Sequence, residues 1–183
     1  MVKWIGEKYL DILILFLIIC FYCWLGQDFP IEWDDESHFA AVTDSILRGD
    51  FPFVSELSAD EGIFWMPFGS NLIQAFLLKI SGISSVYDVW NIRYRIVIPL
   101  IVLIYLLLRN VLSTINLNAN VIRLLLFLFL TSIPNAAVLN TIRPEGISCI
   151  LLLLFIQNLK SKQYYSSILL ISTIFFFHPL PGI

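Results

Sequence analysis

The sequence predicts an all-α integral membrane protein with about five transmembrane helices and two interfacial helices in the first outer loop. Three observations carry this. The chain is 58% hydrophobic over 183 residues, with a mean hydropathy of +0.85. Its Leu, Ile and Phe gather in five separate apolar runs, more than one soluble core of this size buries. The charges are unevenly placed: ten of the fourteen acids fall between Gln27 and Gly69, with Arg48 as the one Lys or Arg among them. Residues 1–183 are expected to form a single membrane domain, and 26–95 an extracytoplasmic acidic loop.

The first run, residues 9–25, follows Lys3 and Lys8 and precedes the acids. The positive-inside rule places the N-terminus in the cytoplasm and the acidic stretch outside, with Asp11 near the inner interface and Trp4 and Trp24 as interfacial anchors. No small-x-small cleavage site follows the run, so it reads as a retained signal anchor. Residues 36–48 repeat apolar side chains at helical spacing (Phe39, Val42, Ile46, Leu47), and Gly49-Asp50-Phe51-Pro52 stops them. This helix is too short and too polar to span, so it lies on the outer surface, its apolar face toward lipid or the bundle. Gly69–Ile80 is a second helix, entered through an aromatic, Pro-containing stretch at 63–67. It carries Asn71, Gln74 and Lys79 and falls short of the ~20 residues a span needs, so it too is expected at the interface.

Four spans follow. Residues 96–108 run inward to Arg109, 121–139 outward with an interruption at Pro134, 146–159 inward to Lys160, and 167–177 outward to His178. In this topology Lys3, Lys8, Arg109, Arg123, Lys160 and Lys162 share the inner side. The acidic loop, the Arg143-Pro144-Glu145 turn and His178 share the outer one. That convergence of polar groups at one membrane face is how a membrane enzyme assembles a site.

The stretch 33–40, Trp-Asp-Asp-Glu-Ser-His-Phe-Ala, carries the most chemistry. One reading is a solvated loop opening a helix, with Asp34 or Asp35 as the cap. The other is a catalytic carboxylate at a membrane-surface site. Cys20 and Cys23 form a C-x-x-C inside an apolar run, which is neither a zinc nor a thioredoxin context. His38 lies close to Glu36 but without the further ligands a metal requires. No metal and no cofactor are called for, and without a basic patch neither is nucleic acid.

At this point the sequence resembles the N-terminal part of the GT-C class of membrane glycosyltransferases, nearest the protein O-mannosyltransferases and the lipid A aminoarabinose transferases. The motifs are an outer loop opening with Asp35-Glu36-Ser37-His38-Phe39, a helix ending at Leu47-Arg48-Gly49-Asp50, the helix entry Phe64-Trp65-Met66-Pro67-Phe68, Ser81-Gly82, and Arg93 or Arg95 before the next span. Glu145 matches an acidic residue on a later outer turn, and His178 stands where the family usually has Lys. Met66 and Phe68 depart from the family, which commonly has a second Pro and often a Lys at the helix entry. Family members are also far longer, so the chain is expected to be the N-terminal portion of such an enzyme, inactive alone.

The resemblance implies sugar transfer from a polyprenyl-phosphate-linked donor to a lipid or protein acceptor at the outer face. Asp35 is then the candidate general base, with Glu36 or Asp34 orienting it or stabilising positive character at the anomeric carbon. Like-charge repulsion within the cluster favours a base. Arg93, Arg95, Arg143 and His178 are candidate partners for the lipid phosphate, Arg being the better bidentate donor. The structural alternatives are that Arg93 and Arg95 snorkel to the interface, that Arg143 and Glu145 pair around Pro144, and that His178 merely ends a helix. Two other classes remain: a non-catalytic multi-pass protein binding membrane lipid or a partner, and a transporter component. The near absence of charges at mid-helix positions argues against the transporter. The lack of an Asn-x-Ser/Thr sequon favours a bacterial plasma membrane over the endoplasmic reticulum.

Overall fold

The computed structural model describes residues 2–25, 34–51, 68–86, 93–115, 117–139 and 145–177. Among these there is no strand. The helices are α1 (Val2–Leu25), α2 (Asp34–Arg48), α3 (Gly69–Ile80), α4 (Ile98–Ser113, entered through a π-helical turn at Arg93–Val97), α5 (Ala119–Thr131), α6 (Ile133–Leu139), α7 (Glu145–Lys160) and α8 (Tyr164–Phe177). The all-helical expectation holds. Of the five expected spans, two reach the length and hydropathy of a membrane crossing, Lys8–Leu25 and Tyr94–Ser113. Ala119–Thr131, Gly146–Lys160 and Tyr164–Ile174 are apolar but shorter.

Local chemistry explains the breaks. Pro99 has no N–H for the Arg95 carbonyl, and the wider π turn just before α4 absorbs that missing bond. The outward run around Pro134 is two rods. Ser132 leaves helical geometry (φ −64, ψ 137), and α6 restarts beyond it. Pro134 cannot donate to the Leu130 carbonyl four residues earlier. That buried carbonyl instead accepts from the Tyr22 hydroxyl of α1 at 2.9 Å. Gly49 ends α2 at φ 84, with Asp50 N–H on the Ser45 carbonyl (2.9 Å) and Gly49 N–H on Ile46 (3.2 Å). This is the Schellman pattern that only glycine enters without a Cβ penalty. The α7–α8 turn makes the same two bonds, Gln163 to Asn158 and Lys162 to Leu159, with a lysine in the left-handed position (φ 58).

α4 lies at the centre, against α1, α5 and α7. α7 and α8 form a hairpin, α2 packs along α3, and α3 reaches α8. The shared core holds Ile18, Ile101, Ile104, Tyr105, Leu126 and Leu130, with Ala40 of α2 and Leu78 of α3 joined to it. α2 joins this core through Ala40 and Leu47, while Ala41 and Val42 form a second, smaller cluster with Ile46, Phe51 and Phe68. α3 buries a mixed face, with Ala75 and Leu78 beside polar side chains. Ser70, Asn71 and Gln74 are buried, while Leu72, Phe76 and Ile80, one turn apart, stand 41–67% exposed. The exposed face of α1 is likewise apolar, with Ile12, Leu13, Phe16 and Leu17 outward.

Candidate functional site

Two polar assemblies stand at different places on this bundle. The first joins α2 to α3, just beyond the acids. Asp34, Asp35 and Glu36 form the first turn of α2, so the backbone places Asp34 and Asp35 inside the helix. Their side chains lie outside the described residues. Phe39 follows Asp35 by four residues, about 6 Å along the axis. Its carbonyl accepts from Asn71 Nδ2 at 2.9 Å, and Asn71 Nδ2 also donates to Thr43 Oγ1 at 2.9 Å. Thr43 Oγ1 lies 2.9 Å from the Phe39 carbonyl and 3.2 Å from Gln74 Oε1. Its single proton serves one of these at a time. Ser70 Oγ and Asn71 Oδ1 are buried without a hydrogen-bond partner among the described residues. Unpaired buried polar atoms are rare enough in proteins to call for a reason, a ligand being one.

The other residues expected at this site are distributed as follows. Arg95, exposed, donates from Nη1 to the Ser81 carbonyl at 2.5 Å, where the cation stabilises the C-terminal end of α3. It stands at the end of the π turn and α4 opposite Arg109. Arg93 opens the π turn and Glu145 opens α7, but their side chains lie outside the described residues, as do Arg143 and His178 entirely. The hairpin of α7 and α8 puts the start of α7 and the end of α8 at one end, away from Lys160. Tyr22 and Leu130 join α1 to α5 near that end as well. Cys20, Cys23 and Cys149 are free thiols.

The second assembly gathers at the other end. Asp11 of α1 is clasped from two helices. Arg109 Nη2 of α4 donates to Asp11 Oδ2 at 2.5 Å, and Arg123 Nε of α5 donates to Oδ1 at 2.8 Å. Arg123 Nη1 also reaches Asn120 Oδ1 at 2.8 Å. The Arg123 side chain is 5% exposed and that of Asp11 14%, whereas Arg109 is 43% exposed. Lys160 of α7 donates to the Val111 carbonyl at 3.2 Å and to Thr114 Oγ1. Asp11, Arg109, Arg123 and Lys160 thus collect at one end of the bundle. The clasp itself was invisible in the sequence, because its members are about a hundred residues apart.

Compared with protein-family models, curated proteins and solved structures, the chain matches none. The resemblance to the GT-C class rests on the motifs quoted above alone.

Proposed function

We propose that the chain is a multi-pass membrane protein with a cytoplasmic N-terminus, and that the end bearing the start of α2 builds a site for sugar transfer from a polyprenyl-phosphate-linked donor. The observation that carries this reading is the buried polar seam of α3 behind an exposed apolar stripe. Its amide and hydroxyl side chains are buried against α2 beside the acidic turn, while Leu72, Phe76 and Ile80 face outward. A contiguous exposed apolar stripe is what a lipid-facing helix needs. A buried polar seam with unpaired Ser70 Oγ and Asn71 Oδ1 suits a sugar rich in hydroxyl groups.

In this reading the acceptor O–H attacks the anomeric carbon, Asp35 takes its proton, and the bond to the carrier phosphate breaks with the electron pair leaving on the phosphate. Clustering with Asp34 and Glu36 raises the proton affinity of these carboxylates through like-charge repulsion, which strengthens one of them as a base. Arg93, Arg143 and His178 are the proposed cationic partners of the phosphate. Arg95 is a weaker candidate, since part of its guanidinium is already committed to Ser81.

The test is transfer of a radiolabelled hexose from a polyprenyl-phosphate donor in membranes containing the protein at its full natural length. Asp35→Asn is expected to lower the rate about 100-fold or more, the usual contribution of a general base. Full activity in that variant removes Asp35 from the role. No transfer by the wild type with any such donor removes the reaction class.

A further inference from the structure

The basic end holds more than a clasp. Between α1 and α4 lies a cavity of about 400 Å³, lined by Lys8, Asp11, Ile12, Leu15, Tyr105, Leu106 and Arg109. We propose that it binds the phosphodiester headgroup of an anionic phospholipid from the inner leaflet, with the first methylenes of one acyl chain along Ile12 and Leu106. This rests on the membrane reading above, which puts the basic end at the inner surface.

The charge of the cavity fits an anion. Among the described side chains of the cavity and the clasp beside it, Lys8, Arg109 and Arg123 are cationic, with Lys160 at the same end, and Asp11 is the one acid. Both Asp11 oxygens are engaged, Oδ2 by Arg109 and Oδ1 by Arg123, so the carboxylate is neutralised where it would otherwise repel a phosphate. Arg109 gives Asp11 one Nη. Its guanidinium carries five N–H donors in all, on a side chain 43% exposed at the cavity. Guanidinium and phosphate pair strongly and with defined geometry. The cavity walls make the ligand a lipid. Ile12 is 62% and Leu106 52% exposed, so the basic floor continues into an apolar groove on the outside of the bundle. A soluble phosphate has no use for that groove. The volume lies within the range of sites that hold small organic groups.

The experiment uses the purified protein in phosphatidylcholine nanodiscs titrated with dioleoyl-phosphatidylglycerol, with bound lipid counted by native mass spectrometry. One phosphatidylglycerol per chain is expected, preferred at least tenfold over phosphatidylcholine. Arg109→Gln is expected to lose that preference and Arg109→Lys to keep most of it. Leu106→Trp fills the groove with the Asp11 clasp intact, and is expected to weaken binding at least tenfold. Inorganic phosphate at millimolar concentration should not compete. Equal retention of the two lipids, unchanged binding in Leu106→Trp, or displacement by inorganic phosphate each overturns the proposal. Alkaline carbonate extraction separates the two readings. A chain released from membranes by carbonate defeats the membrane reading, whereas a retained chain without lipid preference defeats this inference alone.

Discussion

The Tyr22 hydroxyl donates to the Leu130 carbonyl across 2.9 Å, joining positions 108 residues apart. Proline is the reason the carbonyl is available. Pro134 removes the N–H that would have filled it, and the helix breaks at Ser132. Both residues are buried, Tyr22 at 2% and Leu130 at 0% exposure, so water cannot substitute. Tyr22→Phe keeps the ring and deletes the donor. It is expected to cost about 1–3 kcal/mol, the penalty for an unpaired buried carbonyl. Denaturant unfolding in detergent measures it. A value near zero would mean that the carbonyl finds another donor.

The Asp11 clasp predicts a ranking. Asp11→Asn strands two guanidinium groups, one of them almost fully buried, and is expected to destabilise by about 3–5 kcal/mol. Arg123→Gln is expected to cost more than Arg109→Gln, because the Arg123 side chain is 5% exposed and the Arg109 side chain 43%. Thermal unfolding of the three variants tests the order. The reverse ranking would place the energy of the cluster at the exposed pair.

Topology is tested with single cysteines in a Cys-free background, at Ser58, Lys79, Asn118 and Ser161, labelled from outside. Lys79, Asn118 and Ser161 are exposed, so accessibility within the fold does not confound them. Labelling at Ser58 and Lys79 but not at Asn118 and Ser161 is expected. Labelling at Asn118 and not at Lys79 would make α3 a span and separate Arg143 and His178 from the acidic loop.

The α3 stripe predicts lipid contact. A tryptophan replacing Phe76, in a background without the five native tryptophans, is expected to be quenched by brominated phospholipid. An unquenched signal would show that protein covers the stripe.

Lys162 pays for its left-handed φ of 58. Lys162→Gly keeps the two turn bonds and removes the Cβ clash, for an expected gain of up to about 1 kcal/mol. Unfolding midpoints of the two proteins decide it.

The helices were largely legible because their signals are local. Gly69–Ile80 is a helix over the residues its aromatic, Pro-containing entry marks, and Gly49 ends α2 as its position before Asp50 and Phe51 requires. α1 begins earlier than its apolar run because Lys3, Glu7 and Lys8 extend a helix as readily as Leu. The lysine turn at 162 carries no glycine and gave no sign. The polar seam was half legible. Asn71 and Gln74 marked α3 as unfit to span, but polarity alone does not tell a buried face from a wet one. Thr43 and Asn71 meet only because α2 and α3 pack together. The ion clasp was legible as a side but not as a contact, since pairing across 98 and 112 residues is decided by tertiary packing.

Those separations also set an order of events on the ribosome. Asp11 emerges 98 residues before Arg109 and 112 before Arg123, roughly 5–20 s of synthesis at ordinary rates. Throughout that interval α1 carries a carboxylate without its cations. The Asp11 clasp therefore closes only after Arg123 has been made, and a nascent chain arrested before Arg123 is expected to hold its first helix in place more loosely than the finished protein does.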